Sequence, residues 1–343
     1  MKKTISVYIP HYGCPHNCVF CDQTKITGVR SIPSAGDIRA QLINDYKTVP
    51  MDYTVEVAFF GGSFTALDMV VQEEALKTAR SFLDSIPNKS ALKASTRPDA
   101  IDEERLTLLK KYGVDTIELG VQSMDDEVLT ASGRGHDSAS VYKASELIKK
   151  YGFTLGHQIM IGLPKDSHDK LKSTVSKIIS INPDIARIYP VLVIKGTPLE
   201  TMYLKGKYKP LDVNEAVRLS LDVYKAMNLN GISVIRIGLQ NTPLINTDAD
   251  VTTGPYHPAF GELVLSEYFK DFILSKLPGI KPAGSLEIRV NNNNLSKVSG
   301  HKKSNKIYFQ KNCNLTLKIS AEPALGDEEI IIGSDKYLMS KGD

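Results

Sequence analysis

Cysteine is scarce in this chain, with four residues in 343. Three of them, Cys14, Cys18 and Cys21, crowd into one short stretch, and Cys313 lies far away. That distribution excludes a disulfide framework. An odd, crowded set cannot pair off within itself, and a chain this long can build a core without staples. Long apolar runs are missing too. Nothing approaches the length of a membrane span, and Met1-Lys2-Lys3 leads straight into a strand pattern instead of a signal-peptide core. A net charge of +3 permits anionic partners without demanding them. The remaining expectation is a cytoplasmic globular protein, either one large α/β domain with a small appendage or two medium domains.

What is present is a run of short β-branched segments alternating with helical periodicity. Strands are expected at Ile5–Ile9, Thr54–Phe60, Ala91–Ser95, Thr116–Leu119, Thr154–Ile161, Ile185–Ile188 and Ser233–Ile237. Helices are expected at Asp37–Lys47, Leu67–Leu83, Glu103–Tyr112, Ser138–Tyr151, Ser167–Ile181 and Val213–Met227. Such alternation predicts a parallel sheet, open or curled into a barrel, with its chemistry at the carboxyl ends of the strands. The character changes near residue 240. Asn241–Asp250 reads as a loop, a helix runs to about Lys276, and Asn291–Asn294 reads as a turn. Leu286–Val290, Lys306–Phe309, Leu315–Ile319 and Glu329–Ile332 read as strands. The expected division is a barrel over 1–240 and a small α+β or β-rich appendage over 241–343.

The cysteine stretch, Cys14-Pro-His-Asn-Cys18-Val-Phe-Cys21, directly follows the first strand. Three close thiolates can each take one iron of a [4Fe–4S] cluster and leave the fourth iron open to a substrate or cofactor. A structural zinc site, completed by His16, His11 or Cys313, is the competing reading of the same residues. His257, held between Pro255 and Pro258 with Tyr256 beside it, serves either as a contact at the barrel mouth or as a cap for the next helix. Lys297, Lys302, Lys303, Lys306 and Lys311 make a locally basic tail, a solvated turn or a phosphate contact. Cys313 lies in a strand-like stretch and reads as a small buried hydrophobe.

The C-x3-C-x2-C spacing resembles the radical S-adenosylmethionine (SAM) superfamily. Glu118-Leu-Gly-Val-Gln-Ser123, Ser132-Gly-Arg-Gly-His136 and Arg187-Ile-Tyr-Pro190 resemble its Elp3-like and HemN-like members. The resemblance covers about residues 1 to 260 and implies a partial (β/α)6 barrel. It also implies SAM chelated at the open iron and cleaved reductively to methionine and a 5′-deoxyadenosyl radical. By the same resemblance Gly61, Gly62 and Ser63 meet the SAM ammonium, with Ser63 where other members carry glutamate. Gln122 and Arg134 meet its ribose or carboxylate, a guanidinium being suited to gripping a carboxylate. Ile161 and Gly162 meet its adenine.

Elp3-like proteins modify the wobble uridine of tRNA with the help of an acetyltransferase domain, for which this chain is too short. The implied function is therefore radical SAM chemistry on an unidentified substrate, with tRNA as a candidate. The implied electron donor is external, of flavodoxin or ferredoxin type. A HemN-like porphyrin oxidoreductase is the alternative, weakened by Asp22 where those proteins place another cysteine. A non-catalytic haem- or RNA-binding protein is the other.

Overall fold

The β-branched runs become parallel strands because apolar side chains on their outer side are covered by helices. The computed structural model describes residues 2–9, 14, 16, 18–22, 31–239, 250–280, 282 and 284–340. Strands β1 (Lys2–Ile9), β2 (Thr54–Gly61), β3 (Ser90–Thr96), β4 (Thr116–Gln122), β5 (Thr154–Ile161) and β6 (Ile185–Pro190) lie side by side in chain order. A two-residue β7 (Val193–Ile194) leaves the sheet, and β8 (Ser233–Ile237) completes it next to β6. Every neighbouring pair is parallel. This is the partial (β/α)6 barrel expected, the cysteine strand followed by six more. β7 instead pairs antiparallel with β9 (Val251–Thr253), a ribbon that the sequence reading lacks.

The helices between strands are α1 (Ala35–Tyr46), α2 (Met69–Asp84), α3 (Glu103–Lys111), α4 (Asp126–Ala131), α5 (Ser138–Lys150), α6 (His168–Ile181), α7 (Pro198–Leu204) and α8 (Val213–Leu229). Each begins where a short polar side chain can take a free backbone N–H. Ser34, Asp68, Asp102, Asp125, Asp137, Ser167, Thr197 and Asp212 all accept such a bond. On β2, alternate residues Val55, Val57 and Phe59 are fully buried in the apolar core. The opposite face of the strands carries Glu56, Lys93, Glu118, Gln158 and Arg187, so the inside of the barrel is polar.

Beyond the barrel, α9 (Phe260–Ile280) leads to β10 (Ser285–Val290), α10 (Leu295–Ser299) and α11 (Ser304–Cys313). Strands β11 (Thr316–Ala321), β12 (Glu329–Ile332) and β13 (Asp335–Leu338) follow, and the small sheet runs β11-β10-β12-β13. The α+β expectation holds, with one correction. Lys306–Phe309 is not a strand but part of α11, and Cys313 ends that helix. Asn305 and Phe309, one helical turn apart, are buried while Ile307 between them is half exposed, a spacing only a helix gives. Asn292–Asn294 forms a single 3-10 turn, as a turn was expected there. Pro10, His11 and residues 241–249 of the expected loop lie outside the described residues. One apolar cluster extends from Ile5 through Ile273 to Met339, so barrel and appendage share a core. No helix among the described residues is long and apolar enough to cross a membrane.

Candidate cofactor site

The cysteine segment is strapped across the carboxyl ends of the strands. Val19 donates its N–H to the Ser132 carbonyl at 3.0 Å and accepts from Leu199 N–H at 2.8 Å. Cys21 N–H closes a turn onto the Cys18 carbonyl at 3.1 Å. Val19 and Phe20 pack on a second apolar cluster of Val128, Leu163, Val191, Val193 and Leu199. The aromatic residue beside the last cysteine therefore anchors the loop, while Cys18 is buried and Cys14 and Cys21 are half-buried.

Two guanidiniums reach this loop. Arg134 is buried, and its Nη1 donates to the Cys18 sulfur at 3.2 Å. Its Nη2 is bound to the Gly120 carbonyl, and its Nε has no partner among the described residues. Arg97 is also buried. Its Nε and Nη2 grip Asp99 at 2.9 and 3.1 Å, Nη2 also meets the Arg134 carbonyl, and Nη1 is left without an acceptor. Burial pushes the Cys14 thiol up, opposed by the Ser63 backbone N–H and by the charges of Arg97 and Arg134. His136 is pushed down to about 4 by burial and by the same two arginines, so it is neutral near pH 7.

The glycines act through their missing side chains. Gly61 has φ +98°, and a Cβ there would lie 2.4 Å from the Ile9 carbonyl oxygen, so β1 and β2 approach this closely only over glycine. Gly62 N–H donates to that same carbonyl at 2.6 Å. The Ser63 hydroxyl is tied to Thr96 Oγ1 at 2.9 Å and accepts from Arg97 N–H at 3.1 Å. A Cβ on Gly120 would lie 3.1 Å from Gln122 Nε2 and 3.2 Å from Arg134 Nη2, so these two side chains meet over bare backbone. Gln122 itself has φ +67°, a left-handed conformation costly for a non-glycine residue, and its buried Oε1 is unpartnered. Gln122, Arg134 and the first two cysteines are thus brought together.

Ile161 and Gly162 end β5, whose Ile159 is in register with Gln122. Ile161 is fully buried core, and its carbonyl accepts from Val191 N–H at 3.0 Å. The Gly162 carbonyl accepts from the Tyr208 hydroxyl at 2.7 Å. His257 Nδ1 accepts from Ala259 N–H at 3.1 Å, one residue ahead of α9, and its ring meets that of His301 edge-on at 5.0 Å. His16 lies against Gly135 in an open cleft of about 620 Å³ with Thr130 and His136. Cys313 packs on the core of the appendage. Among the described residues no three His, Cys, Asp or Glu side chains converge as one metal ion requires.

Below the mouth runs a chain of charges, buried but for Lys2 at its exposed end, that the sequence reading touched only at Glu118 and Arg187. Lys2 pairs with Glu56 at 2.8 Å, Lys93 with Glu56 at 3.4 Å and with Glu118 at 3.0 Å, and Arg187 with Glu118 at 2.7 Å. Burial pushes the Glu118 carboxyl up, but Arg187 and Lys93 more than offset this and hold it below its ordinary value. The available signal was a single charged residue inside each of four strands that are otherwise uncharged: Glu56, Lys93, Glu118 and Arg187.

The donor set fits a three-cysteine cluster carrying SAM. Among the described residues, Arg134 Nε and Arg97 Nη1 are buried N–H groups without acceptors, and Gln122 Oε1 is a buried acceptor without a donor. Buried polar groups are nearly always satisfied, and two of these three orphans sit on arginines whose charge acts on the cysteines, so a bound ligand carrying an acceptor and a donor would complete them.

The family model described as the radical SAM superfamily matches residues 8–178, and that of the Radical_SAM C-terminal domain matches 183–270. Uncharacterized protein MJ0486 of Methanocaldococcus jannaschii is 33% identical over 224 residues, 61% of this chain and 67% of that one. The tRNA uridine(34) acetyltransferase of Methanocaldococcus infernus is 31% identical over 184 residues, 48% of this chain and 34% of that one. The solved archaeal Methanocaldococcus infernus Elp3 with an N-terminal deletion superposes with a TM-score of 0.64 at 25% identity, covering 79% of this chain and 64% of that one. The chain thus spans about two thirds of the first relative and about a third of the acetyltransferase.

Proposed function

The chain belongs to the radical SAM superfamily, and from that premise we propose that Cys14, Cys18 and Cys21 hold a [4Fe–4S] cluster with SAM at its open iron. When bound, this pair supplies one-electron cleavage of SAM and a carbon radical that abstracts hydrogen from substrate. The single observation that carries the reading is the pair of buried guanidiniums at the cysteines, each with an N–H still unpaired.

The chain's own residues then have defined work. Arg134 holds positive charge beside the Cys18 thiolate and keeps Nε for a carboxylate. Gln122 offers Oε1 to a hydroxyl or ammonium proton. Gly61 and Gly62 let a ligand approach bare backbone. Val19 and Phe20, packed against Leu163 and Leu199, close the loop's underside to water. The reductant is an external flavodoxin or ferredoxin.

The test is anaerobic reconstitution with iron and sulfide, followed by reduction with dithionite and SAM. Wild type is expected to turn brown with about four irons per chain and to form 5′-deoxyadenosine. Cys18→Ala is expected to lose colour and product together. Undiminished 5′-deoxyadenosine from that variant rejects the assignment.

For the substrate, we infer a tRNA nucleoside. The support is the likeness to a tRNA uridine(34) acetyltransferase, together with the exposed Lys302 and Lys303 on the appendage. Nucleoside digests of tRNA from wild-type and deletion strains decide this, since identical digests remove RNA as the substrate.

A further inference from the structure

The barrel's inner face ends in a charge imbalance that the cofactor reading does not use. Arg187 on β6 and Arg236 on β8 are partners in register, so two arginine side chains leave one face of the sheet from neighbouring positions. Like charges so placed repel. The nearby carboxylates are already engaged. Glu118 Oε1 takes Lys93 at 3.0 Å and Arg187 Nη2 at 3.0 Å, and its Oε2 takes Gln158 Nε2 at 3.2 Å. Glu56 is held by Lys2 and Lys93. Arg236 has no hydrogen bond or ion pair among the described residues, and its charge falls on the Tyr189 phenol.

Two further donors gather at the same corner. Arg187 Nε lies 2.7 Å from Glu118 Oε2, yet its buried N–H lacks the direction a hydrogen bond needs. The Tyr189 oxygen accepts from Arg187 Nη1 at 3.3 Å, which leaves its own proton to be given elsewhere. Phe60, Met160, Arg187, Tyr189 and Arg236 are only half-buried although all but Arg236 lie on interior strands, and the Arg187 guanidinium sits 5.5 Å above the Phe60 ring.

We propose that Arg187, Tyr189 and Arg236 form an oxyanion subsite for the substrate, taking a phosphate or carboxylate that it carries into the barrel. The proposal rests on the reading that the adjoining mouth holds SAM, which makes this the face opposite which a substrate lies. An oxyanion there accepts from Tyr189 and Arg236 and balances the second guanidinium, a geometry suited to forked donors.

Inorganic phosphate and acetate serve as probes, each titrated onto the reconstituted protein with line broadening of the 31P or 13C signal as the readout. At least one is expected to bind wild type, and the tighter of the two identifies the group. Arg236→Gln is expected to weaken it about tenfold, the worth of one charge-assisted hydrogen bond. Arg236→Lys, which keeps the charge but loses the fork, is expected to fall between Arg236→Gln and wild type, and the exposed control Lys143→Gln on α5 to match wild type. Circular dichroism checks that each variant is folded. Equal binding by Arg236→Gln and wild type overturns the proposal, as does failure of both anions to bind wild type. 5′-Deoxyadenosine formation by wild type is read separately. Its absence removes the cofactor reading and leaves the anion result to stand or fall alone.

Discussion

The barrel and the appendage both bury polar side chains, but of different kinds. Inside the barrel, beside neutral groups such as Ser95, Thr96 and Gln122, the buried set includes five ionisable side chains that carry charge: Glu56, Lys93, Arg97, Glu118 and Arg134. In the appendage it is chiefly amide: Asn291, Asn294 and Asn305. There two of the amides tie down backbone, while Asn291 bonds the Asp327 carboxylate. Asn305 Nδ2 donates to the Ser266 carbonyl at 2.9 Å, and Asn294 Nδ2 to the Asp327 carbonyl at 2.8 Å. The exception is Lys276 of α9, whose ammonium lies 5.0 Å from the Phe272 ring centre and 5.1 Å from that of Tyr337. A bonded amide costs little to bury, whereas an ion costs several kcal/mol even when paired, and apolar residues would hold the same sheet at least as well. Ion chains inside the barrel therefore point to a surface kept for ligands, while the amides of the appendage serve the fold.

The strongest way to break this comparison is to remove one charge from the chain. Glu118→Ala leaves Arg187 and Lys93 buried without their shared carboxylate and is expected to cost about 3–5 kcal/mol in urea unfolding. Asn305→Ala, which removes an amide donor shared among three carbonyls in the appendage, is expected to cost about 1–3 kcal/mol. Acid separates the two. Glu118 is held below its ordinary 4.5, so its contribution is full above that value and is lost as pH falls through the depressed one. The deficit of Glu118→Ala should therefore shrink in acid, while that of Asn305→Ala stays. Equal pH profiles would mean that the barrel's charges stabilise no differently from amides.

The same contrast explains what was legible in the sequence. Barrel strands such as Val55–Phe59 are buried on both faces and read as apolar runs, and the helices between them carry Asp, Ser or Thr caps. Local pattern and final structure agree there. In the appendage, Lys-Ile-Tyr-Phe at 306–309 has strand-forming side chains, yet packing of Asn305 and Phe309 on one side makes it a helix. Nothing within those four residues carries that information. Arg97, Gln158 and Arg236 were missed or left unassigned for a related reason. Each acquires its role only when strands far apart in the chain become neighbours.

The smallest effect sharpens the comparison at the rim of the barrel. Asp166, in the turn after β5, is pushed up from 3.8 to about 6, chiefly by burial and further by Asp125, against the N–H groups of Ser167 and Gly162. A raised carboxyl favours the folded state while protonated. That advantage is complete below 3.8 and disappears as pH rises through about 6, so near neutrality the fold carries an ionised group it holds poorly. Asp166→Asn keeps the shape of the neutral acid. It is expected to match wild type in urea below about pH 4 and to exceed it above about pH 6, by on the order of 1 kcal/mol. A gain that is the same at both pH values would place the effect in packing. No gain at either would mean that water reaches this carboxylate freely, and the rim would then resemble the solvated charges of the appendage more than the ion chain beneath it.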